Sequence, residues 1–208
     1  MKPAVSIRRH TFRSVLTLAL LAGSATTQAF EVEQLNTRYE AGQYRLSMTV
    51  ILAAPLHQVE AVLRDYAHYP ELDPRILEAR VLNSNTPGTV QLFTRIHVCV
   101  SFLCRNVERI EQVEERPGEM VATIIPEHSD AEQGSTHTVL SAQGERTQVR
   151  YTTFIVPKFW VPAWFGRALM LRTLRDGTLN LFQHIEQRAA TPLSTSSTSA
   201  LSDHEKSY

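Results

Sequence analysis

Hydrophobic positions alternate from Tyr44 to Leu52. Tyr44, Leu46, Met48, Val50 and Leu52 fall on one side, with Arg45, Ser47 and Thr49 opposite, which is the period of a half-buried strand. At Pro55 the period changes. Proline suits the first turn of a helix, and Val59, Val62, Leu63 and Tyr66 give the residues after it one apolar helical face. Tyr69-Pro70-Glu71-Leu72-Asp73-Pro74 breaks that helix, and a short second helix or turn is expected around Arg75 to Glu78.

From there the chain reads as antiparallel strands separated by turn signals. Val81-Leu82 precedes the turn Asn83-Ser84-Asn85-Thr86-Pro87-Gly88. Val90 to Cys99 follows, with Leu92, Thr94, Ile96 and Val98 on one face. Between Arg105 and Glu115, Val107, Ile110 and Val113 recur every three residues, which favours a helix. The segment is nonetheless read as a strand, because the flanking cysteines suit a hairpin and Pro117-Gly118 is a turn. Glu119 to Ile125, Ser135 to Ala142 and Gln148 to Val156 complete the sheet, with the last hairpin turning at Gly144-Glu145.

The final element runs from near Pro162 to about Gln187. Leu171, Leu174, Thr178, Leu181, Phe182 and Ile185 form one helical stripe that stays in phase through Asp176-Gly177, so that glycine is expected to allow close packing against the sheet. A strand, two short helices, several antiparallel strands and a long helix make an α+β fold. A curved sheet wrapped around a long C-terminal helix leaves room between them for a largely apolar cavity.

The segment Lys158-Phe159-Trp160-Val161-Pro162-Ala163-Trp164-Phe165-Gly166 joins the last strand to this helix and holds both tryptophans of the chain. Connections normally run over the surface, so this aromatic content has three readings. The loop plugs the core, lids an apolar cavity, or touches a membrane interface, where tryptophan is enriched. Lys158, Arg167, Arg172 and Arg175 add local positive charge, which suits either an ordinary solvated helix face or an anionic headgroup.

Residues 1–29 read as a signal peptide. Lys2, Arg8, Arg9 and Arg13 precede the apolar run Val15 to Ala22, and Thr27-Gln28-Ala29 is a cleavage site before Phe30. Removing the segment takes four of the 21 Lys and Arg and none of the 21 Asp and Glu, leaving a net charge of −4 with His neutral. A mildly acidic domain lacks the footprint of a nucleic-acid binder. Residues 30–189 carry the folding information as one domain, and the Ser/Thr-rich residues 190–208 read as a disordered tail. Export, to a bacterial periplasm, suits a disulfide between the only two cysteines, Cys99 and Cys104. No companion ligand at metal-binding spacing stands beside them in the sequence.

Beyond His10 seven histidines remain, none of them in an i, i+4 or His-Glu-x-x-His pattern. Pro126-Glu127-His128-Ser129-Asp130 reads as a solvated turn. Arg95 and His97 share a strand face with Phe93. If that face turns inward they could hold a polar head or act as acid and base, and if it turns outward they do neither. Glu108, Glu111, Glu114 and Glu115, beside Arg105 and Arg109, read as the charged outer face of a strand. There is no phosphate-binding glycine loop and no nucleophile elbow.

Residues Pro55 to Leu72, PLHQVEAVLRDYAHYPEL, resemble the opening signature of the START-like, or SRPBCC, helix-grip superfamily. The nearest branch is that of polyketide cyclases and coenzyme-Q-binding proteins. Asp65-Tyr66-x-x-Tyr69-Pro70 and the terminal strand, aromatic loop and long helix carry the resemblance most sharply, and element order extends it over residues 32–188. The resemblance implies a helix-grip fold and a cavity for an apolar ligand. An exported, disulfide-bearing chain departs from the family's cytosolic and mitochondrial members, and so from a role in quinone biosynthesis.

The resulting expectation is an exported carrier of a hydrophobic small molecule or lipid, with Trp160, Trp164, Phe165, Tyr69, Phe93, Arg95 and Leu169 as cavity or lid residues. Transient membrane contact through the aromatic loop is expected, and no nucleic acid. No catalytic residue, cofactor or metal is assigned. A cyclase-like enzyme acting on a cavity-bound substrate is the alternative, and a filled-core interaction module is a third reading.

Overall fold

The computed structural model describes residues 30–191 except 101, 102 and 163. The strands are β1 (Glu31–Glu40), β2 (Gln43–Leu52), β3 (Ile76–Thr86), β4 (Thr89–Val100), β5 (Leu103–Arg116), β6 (Glu119–Ile124), β7 (Ala131–Gln143) and β8 (Arg146–Pro157). They form one 8-stranded sheet in the order β1-β2-β8-β7-β6-β5-β4-β3. Every neighbouring pair is antiparallel. Helices α1 (Leu56–Arg64) and α2 (Tyr69–Leu72) follow β2, and the 25-residue α3 (Gly166–Ala190) closes the fold. This is the expected α+β helix-grip arrangement, a curved antiparallel sheet around a C-terminal helix. No helix among the described residues is long and apolar enough to cross a membrane. The expected signal peptide and nearly all of the expected tail lie outside the described residues.

The alternating stretch of β2 faces the core as its period requires. Tyr44, Leu46, Met48, Val50 and Leu52 are all buried. Val59, Val62 and Leu63 of α1 cover the last four of them from one side, and Phe182, Ile185 and Ala189 of α3 join the same cluster. The Phe182 ring meets Tyr151 edge-on at 5.3 Å, a favoured aromatic geometry. Glu186 of α3 then ties the chain together. Its two carboxylate oxygens accept from the Phe30 amide at 3.0 Å and the Ala53 amide at 2.9 Å. Such charge-assisted bonds are among the stronger ones.

Three local expectations change. Of the short helix or turn expected around Arg75 to Glu78, a turn forms at Pro74 and Arg75 and β3 begins at Ile76, while the short helix is α2, with Pro70 in its first turn. A proline that breaks a helix from within has a fixed φ that suits a helix start equally well. The turn after Leu82 shrinks to Pro87-Gly88, because β3 runs on to Thr86. Gly88 has φ +71, and a Cβ there would lie 3.1 Å from the Glu115 carbonyl, so glycine meets both demands. Ahead of the first expected strand lies β1, an edge strand whose residues are mostly exposed and whose sequence shows little apolar alternation.

The three-residue recurrence in β5 has a simple origin. Val107 and Val113 point inward, whereas Ile110 lies on the opposite face, where its amide donates to Ser129 Oγ at 2.9 Å. In α3 the stripe continues unbroken through Gly177. The close approach at that glycine is to Arg75 rather than to a strand, since an added Cβ would run into the Arg75 guanidinium.

Candidate functional site

A cavity of about 270 Å³ lies between the inner face of the sheet and α3. Its apolar wall includes Leu92, Ile96 and Val98 of β4, Val107 and Val113 of β5, Met120 and Ala122 of β6, and Met170, Leu174 and Phe182 of α3. The end of α3 packs Ile185 and Ala189 into the core cluster, while Met170, Leu174, Gly177 and Thr178 before it border the hollow.

Polar groups enter this wall from β5. Arg109 and Glu111 share the inward parity of Val107 and Val113, and both line the cavity. Arg109 Nη2 lies 3.4 Å from Glu111 Oε2, and Arg109 Nε donates to Thr94 Oγ1 at 3.4 Å. The Glu111 side chain is only 7% exposed and that of Arg109 25%, so the guanidinium is the more accessible partner. Buried charges persist when paired in this way. Arg109 therefore keeps donors that a polar ligand head could meet.

Three phenols complete the polar lining. Tyr69 donates to the Leu63 carbonyl at 2.6 Å, and Tyr66 donates to the Glu115 carboxylate. Burial is the main force raising the pKa of both, with the Glu115 bond adding to it for Tyr66 and the Glu111 charge for Tyr69. Burial also raises that of Tyr151, against the lowering effect of the Thr136 and Thr153 hydroxyls. All three are neutral at ordinary pH. At the edge of the cavity Arg75 Nε donates to Asp73 Oδ1 at 2.9 Å, and both residues line it.

The structure separates the residues singled out from the sequence. Tyr69 lines the cavity. Phe93 and Arg95 lie on the opposite face of β4 from Leu92, Thr94 and Ile96, and His97 shares their side. Arg80 and Arg95 cover the Phe93 ring there at 4.7 and 5.7 Å. Of the aromatic loop, Phe159 turns in to the cavity, while Trp160 and Trp164 are 79% and 88% exposed. Phe165 is half-buried and meets Trp164 edge-on at 4.9 Å. Leu169 packs in a separate small cluster around Tyr44 and Met170. Cys99 and Cys104 are directly opposed across β4 and β5 and form a disulfide.

The acidic cluster of β5 is not wholly an outer face. Glu111 and Glu115 share the inward parity with Arg109, and only Glu108 and Glu114 point outward. The signal was in the sequence: Val107, Arg109, Glu111 and Val113 alternate in one phase. The three-residue spacing of the hydrophobics obscured it. A second depression of about 320 Å³ lies on the outer face of the sheet across β1, β2, β8 and β7. Its lining, including Arg38, Ser47, His137 and Thr152, is mostly polar and open to water.

Residues 43–186 match the family model described as polyketide cyclase / dehydrase and lipid transport. No sequence match is found among curated proteins. Among solved structures, the Zhui aromatase/cyclase from Streptomyces sp. R1128 aligns with a TM-score of 0.58 at 18% identity, over 71% of this chain and 93% of that one. A START superfamily protein from Mycobacterium smegmatis gives 0.56 at 18% identity, over 70% and 96%. A STAR-related lipid transfer protein from Xanthomonas axonopodis gives 0.54 at 14% identity, over 74% and 99%. At such identities these structures establish the fold. Their own descriptions span cyclase and lipid-transfer proteins.

Proposed function

We propose that this protein, which belongs to the polyketide cyclase / dehydrase and lipid transport family, is an exported, non-catalytic carrier of a hydrophobic small molecule or lipid held between the sheet and α3. The observation that carries the reading is the facing of β4. Leu92, Ile96 and Val98 line the cavity, while Arg95 and His97, the titratable residues of that strand, lie outside it. Apolar burial then supplies most of the affinity, at roughly 25 cal/mol per Å². Arg109, partly exposed beside Glu111 and the buried phenols in a wall that is largely apolar, orients the polar end of the ligand. At about 270 Å³ the cavity falls just below the usual range of roughly 300–1,000 Å³, which favours a compact ligand over a two-chained lipid. The disulfide supports export.

Membrane contact belongs to the same reading. Trp160 and Trp164 project from the loop that sends Phe159 into the cavity, so a lipid surface gripping the tryptophans would act next to the ligand's path. Native mass spectrometry of the protein from an exporting host, with organic extraction, tests the carrier. The expected result is a stoichiometric retained hydrophobic compound, lost or replaced in Arg109→Met. A clean apo mass, with no uptake from a lipid extract, would sink it. The cyclase-like alternative draws on Arg109 and Glu111 together. It predicts that an added polyketide-like substrate leaves the protein chemically changed, whereas a carrier returns it intact.

A further inference from the structure

We propose that the tip of the β4–β5 hairpin is a redox-gated metal site. When the Cys99–Cys104 disulfide is reduced, His97, Cys99 and Cys104 bind a thiophilic cation of the Zn²⁺ class. The sequence showed no companion ligand beside the two cysteines, but the strand supplies one. His97 lies two residues before Cys99 on the same face, and Cys104 is the cross-strand partner of Cys99. One ligand atom from each of the three lies within 4.8 Å of the others.

The distances suit a tetrahedral ion. His97 Nε2 is 3.5 Å from Cys99 Sγ. Zinc bonds of about 2.0–2.1 Å to nitrogen and about 2.3 Å to sulfur, at a tetrahedral angle, place nitrogen and sulfur about 3.5 Å apart. Two zinc-bound thiolates sit about 3.8 Å apart on the same geometry, so the two sulfurs, bonded to each other in the oxidised protein, part by side-chain rotation once the disulfide is reduced. The imidazole is oriented for the task. His97 Nδ1 lies 2.9 Å from Asn106 Oδ1 on the facing strand. An Nδ1–H donated to that oxygen leaves the Nε2 lone pair directed at the sulfurs, the arrangement that commonly positions a ligating histidine.

His97 and Cys104 are exposed, so an ion can enter from solvent and a water can take the fourth position. The chemistry balances with a dithiol reductant. Its two thiols become a disulfide as the Cys99–Cys104 bond takes up two electrons and two protons. Each cysteine thiol then releases its proton on binding the cation. In the oxidised protein neither sulfur is a thiolate, and the site is closed. The tip is also tied to the cavity-lining helix, because Thr173 of α3 donates to the Cys99 carbonyl at 3.3 Å.

The test is an anaerobic zinc titration of the full mature chain against a competing chelator, in reduced and oxidised forms, with Co²⁺ substitution read by absorbance. Reduced protein should bind one Zn²⁺ per chain, and the oxidised protein none. The Co²⁺ form should show thiolate charge transfer and a tetrahedral ligand-field band. Asn106→Ala should weaken binding about 10–100-fold, and His97→Ala by more. The idea is overturned if reduced wild type retains no stoichiometric zinc. It is equally overturned if His97→Ala binds as tightly as wild type, because the ion would then be held by the two thiolates alone. His97 is exposed, and circular dichroism of each variant separates lost binding from lost folding.

Discussion

The two ends of α3 rest on different interiors. Toward its C-terminus Phe182, Ile185 and Ala189 are 1–3% exposed and interlock with β2 and α1, while Glu186 clips two backbone amides beside them. Toward its N-terminus Met170 and Leu174 border a cavity, and Gly177 leaves its space to the guanidinium of Arg75. One helix thus holds the fold together at one end and leaves room for a ligand at the other. The backbone is continuous throughout, so the difference lies in what each stretch faces: β2 and α1 at one end, the inner face of β4 to β6 at the other.

The largest expected effect tests the filled end. Ile185→Ala should cost about 2–5 kcal/mol in a denaturant titration, because its packed surroundings, away from the cavity, cannot collapse into the hole. Leu174→Ala, beside space that is already open, should cost clearly less. Equal losses would erase the distinction between the two ends.

Glu111→Ala should cost about 1–3 kcal/mol by leaving Arg109 without its anionic partner. The double variant Arg109→Met/Glu111→Leu should recover most of that loss, since buried ion pairs often gain little over apolar replacements. It should still lose any preference for ligands with an anionic head. If the double variant is as unstable as the single and binds normally, the pair is structural.

The phenols give a pH dependence. Tyr66 and Tyr69 have folded pKa values above the ordinary 10.0, so their contribution to stability is complete below pH 10 and is lost as pH rises above it. The slope is at most about 1.4 kcal/mol per pH unit for each tyrosine. Melting followed from pH 9 to 12 should show wild type falling faster than Tyr66→Phe or Tyr69→Phe, and parallel curves would contradict the burial of these hydroxyls.

The smallest effect on stability belongs to the exposed loop. Trp160→Ala with Trp164→Ala should change stability by less than about 0.5 kcal/mol, as expected of surface substitutions. The same variant should bind anionic phospholipid vesicles more weakly than wild type in a sedimentation assay. A large stability loss would mean that these rings plug the fold after all, despite their exposure.

Much of this was legible in the chain. The alternation of β2, the α1 face and the α3 stripe each follow a local period, and a period survives in one dimension. The opposition of Cys99 and Cys104 could be read from the hairpin that their spacing suits. β1 escaped notice because an exposed edge strand has little apolar pattern to betray it. Pro70 reads as a breaker because proline cannot continue a helix, yet the same fixed φ suits the first turn of α2. The ion pair in the cavity was misread because Ile110, an apolar residue on the outer face, made a strand look three-periodic.

The amino-acid sequence by itself determined the class of fold, the order of most elements and which residues of β2, α1 and α3 would be buried, because these depend on periodicity and local propensity. Only the tertiary structure decided which face of β4 and β5 turns inward. Alternation says that Arg95 and Thr94 point opposite ways, but not which of them meets α3. That choice depends on how the whole sheet curls, and it placed Arg109 and Glu111 in the cavity. It also sent Trp160 and Trp164 into solvent and brought His97 beside the disulfide. These are relations between side chains on different strands and loops, which no single stretch of sequence contains.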